Sequence, residues 1–252
     1  MRMMILAGLG LATVAGAAGA QEWRANADGP ATTATARWES GAILFSRCEQ
    51  GQLALLVPLA VAVQGDTARV SYSFDQGEPV GETWSVSADG RTAFARNPGR
   101  FARALMNGSS LSLTVAGQDA PSQRFELDLA RQADPLARTL TACGQRLEDS
   151  RDALPLIDDP QWVERPSPAQ INRLYPLAAA SANQSGIAHV ACVARWDGAL
   201  EDCRLLSETP GGLDFGAATL AAARHHRLAP VQPTTRGPQR GLVHLSMRWQ
   251  LG

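Results

Sequence analysis

Four cysteines and four histidines are the residues of this chain with chemistry to offer. Cys192 and Cys203 flank Asp197-Gly198, a dipeptide that strongly signals a tight hairpin. With Asp197 and Gly198 at the turn centre, Trp196 faces Ala199, Arg195 faces Leu200, and Cys192 faces Cys203 on one side of the sheet. A two-residue and a four-residue loop both give that pairing. The expected chemistry is a structural disulfide, because the spacing is not that of a C-x-x-C redox pair. Cys48 and Cys143 are the other two cysteines, and their expected role is a second staple closing a long loop. His225-His226, with His189 and His244, raises the question of a metal. Adjacent histidines point to different faces of a helix and no carboxylate sits at ligand spacing, so the pair reads as histidines beside a helix C-terminus. Ser207-Glu208 has no G-x-S-x-G elbow or H-E-x-x-H motif with it, and Pro210-Gly211-Gly212 lacks the pattern of a phosphate loop. The sequence therefore predicts no enzyme activity, no metal and no small-molecule cofactor.

The cysteines make sense in an oxidising compartment, and the N-terminus points to one. MRMMILAGLGLATVAGAAGA, residues 1–20, combines Arg2, an apolar run and a small-residue cleavage site, Ala18-Gly19-Ala20. It reads as a signal peptide cleaved after Ala20, and the expected localisation is periplasmic. An uncleaved inner-membrane anchor is the alternative, although a short run rich in Gly and Ala spans a bilayer poorly. The 252 residues are 45% hydrophobic and 19% charged with net charge −1, so nothing argues for a nucleic-acid partner. All 23 basic residues are arginine.

Two domains are expected to position these residues. Residues 21–146 carry short strand candidates at 42–46, 53–59, 68–74, 83–87 and 110–115, separated by Gly- and Asp-containing turns. A short helix ending at Gly108 and a helical spacing at Leu136, Leu140 and Cys143 complete a mainly β, sandwich-like antiparallel domain. Residues 147–167, with Pro155, Pro160 and Pro166 among aspartates, read as a linker spanning about 60 Å at most if extended. Residues 168–252 read as helix, hairpin, helix, strand. Pro176 starts a helix, Asp214 caps an alanine-rich helix over 215–227, and prolines 230 and 233 stop it. In the last strand, 242–251, Val243, Leu245, Met247, Trp249 and Leu251 alternate with Leu242, His244, Ser246, Arg248 and Gln250. Helices on one face of a small antiparallel sheet give an α+β domain. Trp249 reads as core, with a grip on a peptide as the alternative.

Tyr175-Pro176 with Ala179, Gly186, the strand ending in Asp197-Gly198, Ser207-Glu208-Thr209-Pro210-Gly211, Phe215 with Ala217-Ala218, and Arg227-Leu228-Ala229-Pro230 resemble the TonB C-terminal domain in order and spacing. The resemblance covers about residues 168–252. It implies a periplasmic protein that adds a segment of an outer-membrane receptor plug, or of another envelope protein, as a strand to the edge of its last β-strand. The implied partner-binding edge is Leu242, Val243, His244, Leu245, Ser246, Met247, Arg248 and Trp249, through main chain more than side chain. Two departures weaken energy transduction: the N-terminus looks cleavable, and a globular domain stands where that family has a long spacer. A scaffold whose last strand is covered by the first domain or by a homodimer mate is the alternative. The first domain, through Arg47-Cys48, Tyr72-Ser73-Phe74-Asp75, Trp84 with Ser87-Ala88-Asp89-Gly90, Phe101, Leu105, Phe125-Glu126-Leu127 and Cys143-Gly144, resembles invasion-associated locus B proteins. That likeness implies an exported binding or stability module without a known chemistry.

Overall fold

The computed structural model describes residues 23–26, 29, 31–118, 120–129, 134–230 and 240–251. The leader expected at 1–20 lies outside the described residues, as does Pro233. The protein is mainly β and built from antiparallel sheets. Among the described residues no helix is long and apolar enough to cross a membrane.

The N-terminal part is one nine-stranded sheet. Its strands are β1 (Arg24–Asn26), β2 (Ala31–Arg37), β3 (Ile43–Glu49), β4 (Gln52–Pro58), β5 (Gln64–Phe74), β6 (Val80–Val86), β7 (Thr92–Phe94), β8 (Ser110–Gln118) and β9 (Gln123–Asp128), in the order β1-β2-β3-β4-β7-β6-β5-β8-β9. The alternation is clear in β4, where Leu53, Leu55 and Val57 are buried between less buried neighbours. The sequence suggests a sandwich, but the ladder runs unbroken through all nine strands. The sheet curls so that its ends approach: Trp38 Nε1, after β2, donates to the Asp128 carbonyl at the end of β9 (2.9 Å). Two helices cover the concave side. α1 (Pro98–Asn107) starts at Asn97, whose Oδ1 accepts the Arg100 N–H (3.1 Å), and ends at Gly108. Its Phe101 ring lies 5.0 Å from Tyr72 and 5.2 Å from Trp84. α2 (Asp134–Ala142) buries Leu136 and Leu140 and is tied to β3 by the Cys48–Cys143 disulfide.

The C-terminal part is a three-stranded sheet, β12-β11-β14, made of β11 (Gly186–Ala194), β12 (Leu200–Thr209) and β14 (Gly241–Trp249). Its second core contains Val190, Phe215, Ala222, Val243 and Trp249. The expected helix starting at Pro176 is α4 (Leu177–Ser181), with Pro176 at its N-cap, and a separate short helix, α3 (Pro168–Leu174), precedes it. A Ser167/Gln170 capping box starts α3. The alanine-rich helix α5 (Phe215–Ala223) is shorter than expected. The chain leaves it at Arg224, before any proline, because β13 (Arg227–Leu228) pairs with β10 (Trp162–Glu164).

The hairpin corrects the expected register. Ala194 pairs with Leu200 and Val193 with Glu201, one residue away from the symmetric alignment. The loop is three residues, Trp196 to Gly198: Arg195 N–H donates to the Ala199 carbonyl and Gly198 N–H to the Arg195 carbonyl (both 2.9 Å). Gly198 has φ +81, the left-handed conformation that this loop needs in its last position. A bulge between Ala191 and Val193, with Asp202 at φ +43, then restores the alignment. Cys192 meets Cys203 because of that bulge, and the two form a disulfide.

Candidate partner-binding edge

β14 is an edge strand. Among the described residues it pairs along its length only with β11, from Gly186↔Trp249 to Ala194↔Gly241. Its two faces have different surroundings. Val243, Leu245, Met247 and Trp249 enter the helical core, and Trp249 Nε1 donates to Thr219 Oγ1 (2.8 Å) while its ring meets Tyr175 edge-on. Trp249 is 1% exposed, so it has no surface with which to grip a peptide. The other face, with Leu242, His244 and Ser246, turns toward the N-terminal sheet and the segment before β10.

The edge itself is partly occupied. Leu242 N–H donates to the Pro155 carbonyl (2.8 Å), and its carbonyl accepts from the Ile157 N–H (2.9 Å), forming a short parallel bridge. Leu242 therefore leaves the set of expected partner-binding residues, because the protein's own chain saturates its outward groups. Antiparallel pairing alternates, so His244, Ser246 and Arg248 also turn N–H and C=O away from β11. None of these three has a strand partner there among the described residues. Ser246 and Arg248 are exposed and His244 is buried. The open stretch is thus the second half of β14.

The expected linker is structured. It forms a 3-10 turn (Ser150–Ala153), the bridge to β14 and strand β10, and Leu154 and Leu156 pack on Ala191, Val193 and Leu242. Its centre is Asp149, whose side chain is 4% exposed. Asp149 Oδ2 accepts from Arg151 Nη2 (2.8 Å) and from Arg204 Nη1 of β12 (2.9 Å), and Arg103 Nη2 of α1 stands 3.7 Å away. Arg103 also clasps Asp152 with Nε and Nη2 (2.5 and 2.9 Å). Burial raises the Asp149 pKa, but the Arg151 hydrogen bonds and the Arg151 and Arg204 charges outweigh it and hold the carboxyl at about 2. This network ties β12 to α1. Sequence reading missed it because its members come from three separate segments.

The four histidines fall in two separate pairs, His225 with His226 and His189 with His244. His225 Nδ1 lies 3.1 Å from Gln170 Nε2, and His226 Nδ1 donates to the Ala222 carbonyl at the end of α5 (3.1 Å). His189 Nδ1 lies 2.6 Å from Ser246 Oγ, and His244 Nε2 lies 3.4 Å from Asn97 Nδ2. Burial, then the charges of Arg96, Arg100 and His189, lowers the His244 pKa to about 3, so the ring is neutral near neutral pH. Among the described residues no group of three His, Cys, Asp or Glu is placed to hold a metal ion. Glu208 is bound to backbone: its carboxylate accepts the N–H groups of Gly212 (2.8 Å) and Gly216 (2.6 Å).

Set against known proteins, the chain matches no family model, and no curated protein matches it.

Proposed function

We propose that this is an exported envelope protein of the TonB family type, with a β domain at residues 21–146 and a TonB-like α+β domain at 168–252. It works in the periplasm and acts by binding rather than catalysis. The second domain takes up an extended segment of an outer-membrane receptor plug, or of another envelope protein, as a fourth strand beside β14. The observation that carries this reading is the outward-facing main chain at Ser246 and Arg248, which has no strand partner among the described residues. An added strand completes those hydrogen bonds. Titration of the isotope-labelled full chain with synthetic receptor plug segments tests it. Amide shifts are expected at residues 246–249, and their absence removes the proposal.

The bridge from Leu242 to Pro155 and Ile157 favours a second reading, a non-energised scaffold whose last strand is partly covered by its own chain. If that holds, plug segments produce no shift at any concentration, and replacing Pro155-Leu156-Ile157 with Gly-Ser-Gly does not create binding. Export has its own check: N-terminal sequencing of the secreted protein is expected to begin at Gln21.

A further inference from the structure

We infer a second peptide-binding site, in the N-terminal sheet, that takes an extended segment ending in a free carboxylate. The inference is independent of the β14 reading. It starts from a gap in the nine-stranded sheet. β7 is only three residues long and lies between β4 and β6. Its ladder to β4 covers Leu56, Val57 and Pro58, followed by one more bond from Ala95 N–H to the Leu55 carbonyl (2.8 Å). Its ladder to β6 stops at Ser85↔Phe94. The chain then turns into α1, while β4 continues back to Gln52 and β6 back to Val80.

The alternation of both ladders says which groups face the gap. On β4, the N–H and C=O of Leu53 and the N–H of Leu55 point where β7 would have continued. On β6, the same holds for the N–H and C=O of Thr83. A cleft of about 510 Å³ lies there, lined by these strands and by Ser207, Glu208 and Thr209 of β12. His189 and Ser246 reach it from the other sheet. That volume is in the range of small-ligand sites. It is bounded on two sides by strand backbone with no partner among the described residues, which an extended peptide satisfies and a compact small molecule does not.

The charge at the end where β7 stops selects the ligand. Arg96, where β7 gives way to α1, lines the cleft and forms no hydrogen bond or ion pair among the described residues. Glu82 and Asp158 act on it only at longer range. Glu82 is turned to Trp84, whose Nε1 donates to it (2.8 Å), and Glu208 is held by Gly212 and Gly216. A half-buried guanidinium without a hydrogen-bonded counter-charge is matched by a carboxylate, which takes two of its donors. A peptide with its carboxyl terminus at Arg96 runs parallel to β4 and β6 and lies between them.

The test uses the isotope-labelled full chain and three probes: a pool of N-acetylated random pentapeptides with free carboxyl termini, the same pool amidated, and butyrate. The free-acid pool is expected to shift the amides of Leu53, Leu55 and Thr83. Amidation, or Arg96→Gln, should weaken the effect about tenfold, and Arg96→Lys should recover part of it. Equal shifts with the amidated pool, the same amide shifts with butyrate alone, or no shift at these amides overturns the proposal. Shifts confined to Ser246 and Arg248 overturn it too, while leaving strand addition at β14 in place. The spectrum of free Arg96→Gln reports whether that variant is folded.

Discussion

At the scale of single residues, Glu208 and Asp214 divide the work of starting α5 in a way the local pattern conceals. Asp214 stands at the cap position, but its φ of +63 keeps its side chain from making any capping hydrogen bond. Glu208, from the end of β12, accepts the Gly212 and Gly216 N–H groups instead. A carboxylate at a helix N-terminus satisfies orphan donors and complements the helix dipole. Glu208→Ala should therefore cost about 1 kcal/mol of unfolding free energy. Asp214→Gly should stay within about 0.5 kcal/mol of the parent, since glycine accepts the left-handed backbone without strain. Urea titrations of both variants check the ordering, and an equal loss from each would refute the assignment. Gly198 is the other residue whose identity is dictated locally. Its φ is +81, and a Cβ there would lie 1.9 Å from the Leu228 carbonyl oxygen, so no side chain fits.

Elements were legible wherever a short-range pattern governs them. The β4 alternation, the Gly108 stop of α1 and the spacing of Leu136 and Leu140 are local, and the structure realises each. The register of the β11–β12 hairpin was not legible, because two irregularities cancel. A three-residue loop shifts the strands by one, and the bulge at Asp202 shifts them back, so the cysteines meet although the alignment near the turn differs. Neither short β1 nor β7 carries enough residues for a period to appear. The open half of β14 was visible as alternation, but its covered half depends on Pro155 and Ile157, about eighty-five residues away, which no spacing rule reaches. The two disulfides also differ at this scale. Cys48–Cys143 spans 95 residues and Cys192–Cys203 spans 11. Loop-closure entropy gives about 5 kcal/mol for the first and about 3 kcal/mol for the second. Double Cys→Ser variants of each pair, unfolded in guanidinium chloride, should lose stability in that order. A larger loss from the hairpin pair would mean that bulge geometry, not chain entropy, dominates.

For the whole molecule, acid should loosen the junction between the two sheets, and two groups set the range. His244 sits on the face of β14 turned toward Asn97, near Arg96, Arg100 and His189, and its pKa falls from 6.5 to about 3. A base held neutral by the fold binds more protons once unfolded. Stability is therefore full above about pH 6.5 and declines as pH falls toward 3, by at most about 1.4 kcal/mol per pH unit for this one group. His189, lowered in the same direction by burial and by Arg96, titrates on the same side and steepens the decline. Asp149 acts in a lower window. Its stabilisation is present above the ordinary value of 3.8 and is lost as pH falls toward about 2, where its pairing with Arg151 and Arg204 ends. Urea midpoints measured from pH 7.5 to pH 2.5 should therefore fall in two stages. His244→Gln should flatten the stage between pH 6.5 and 4 and leave the lower one intact. Asp149→Asn should lower stability at neutral pH by about 3 kcal/mol, because it leaves Arg103, Arg151 and Arg204 without their shared carboxylate, and should flatten the lower stage only. If His244→Gln leaves the upper stage unchanged, the proton uptake belongs elsewhere and the junction is not where acid acts.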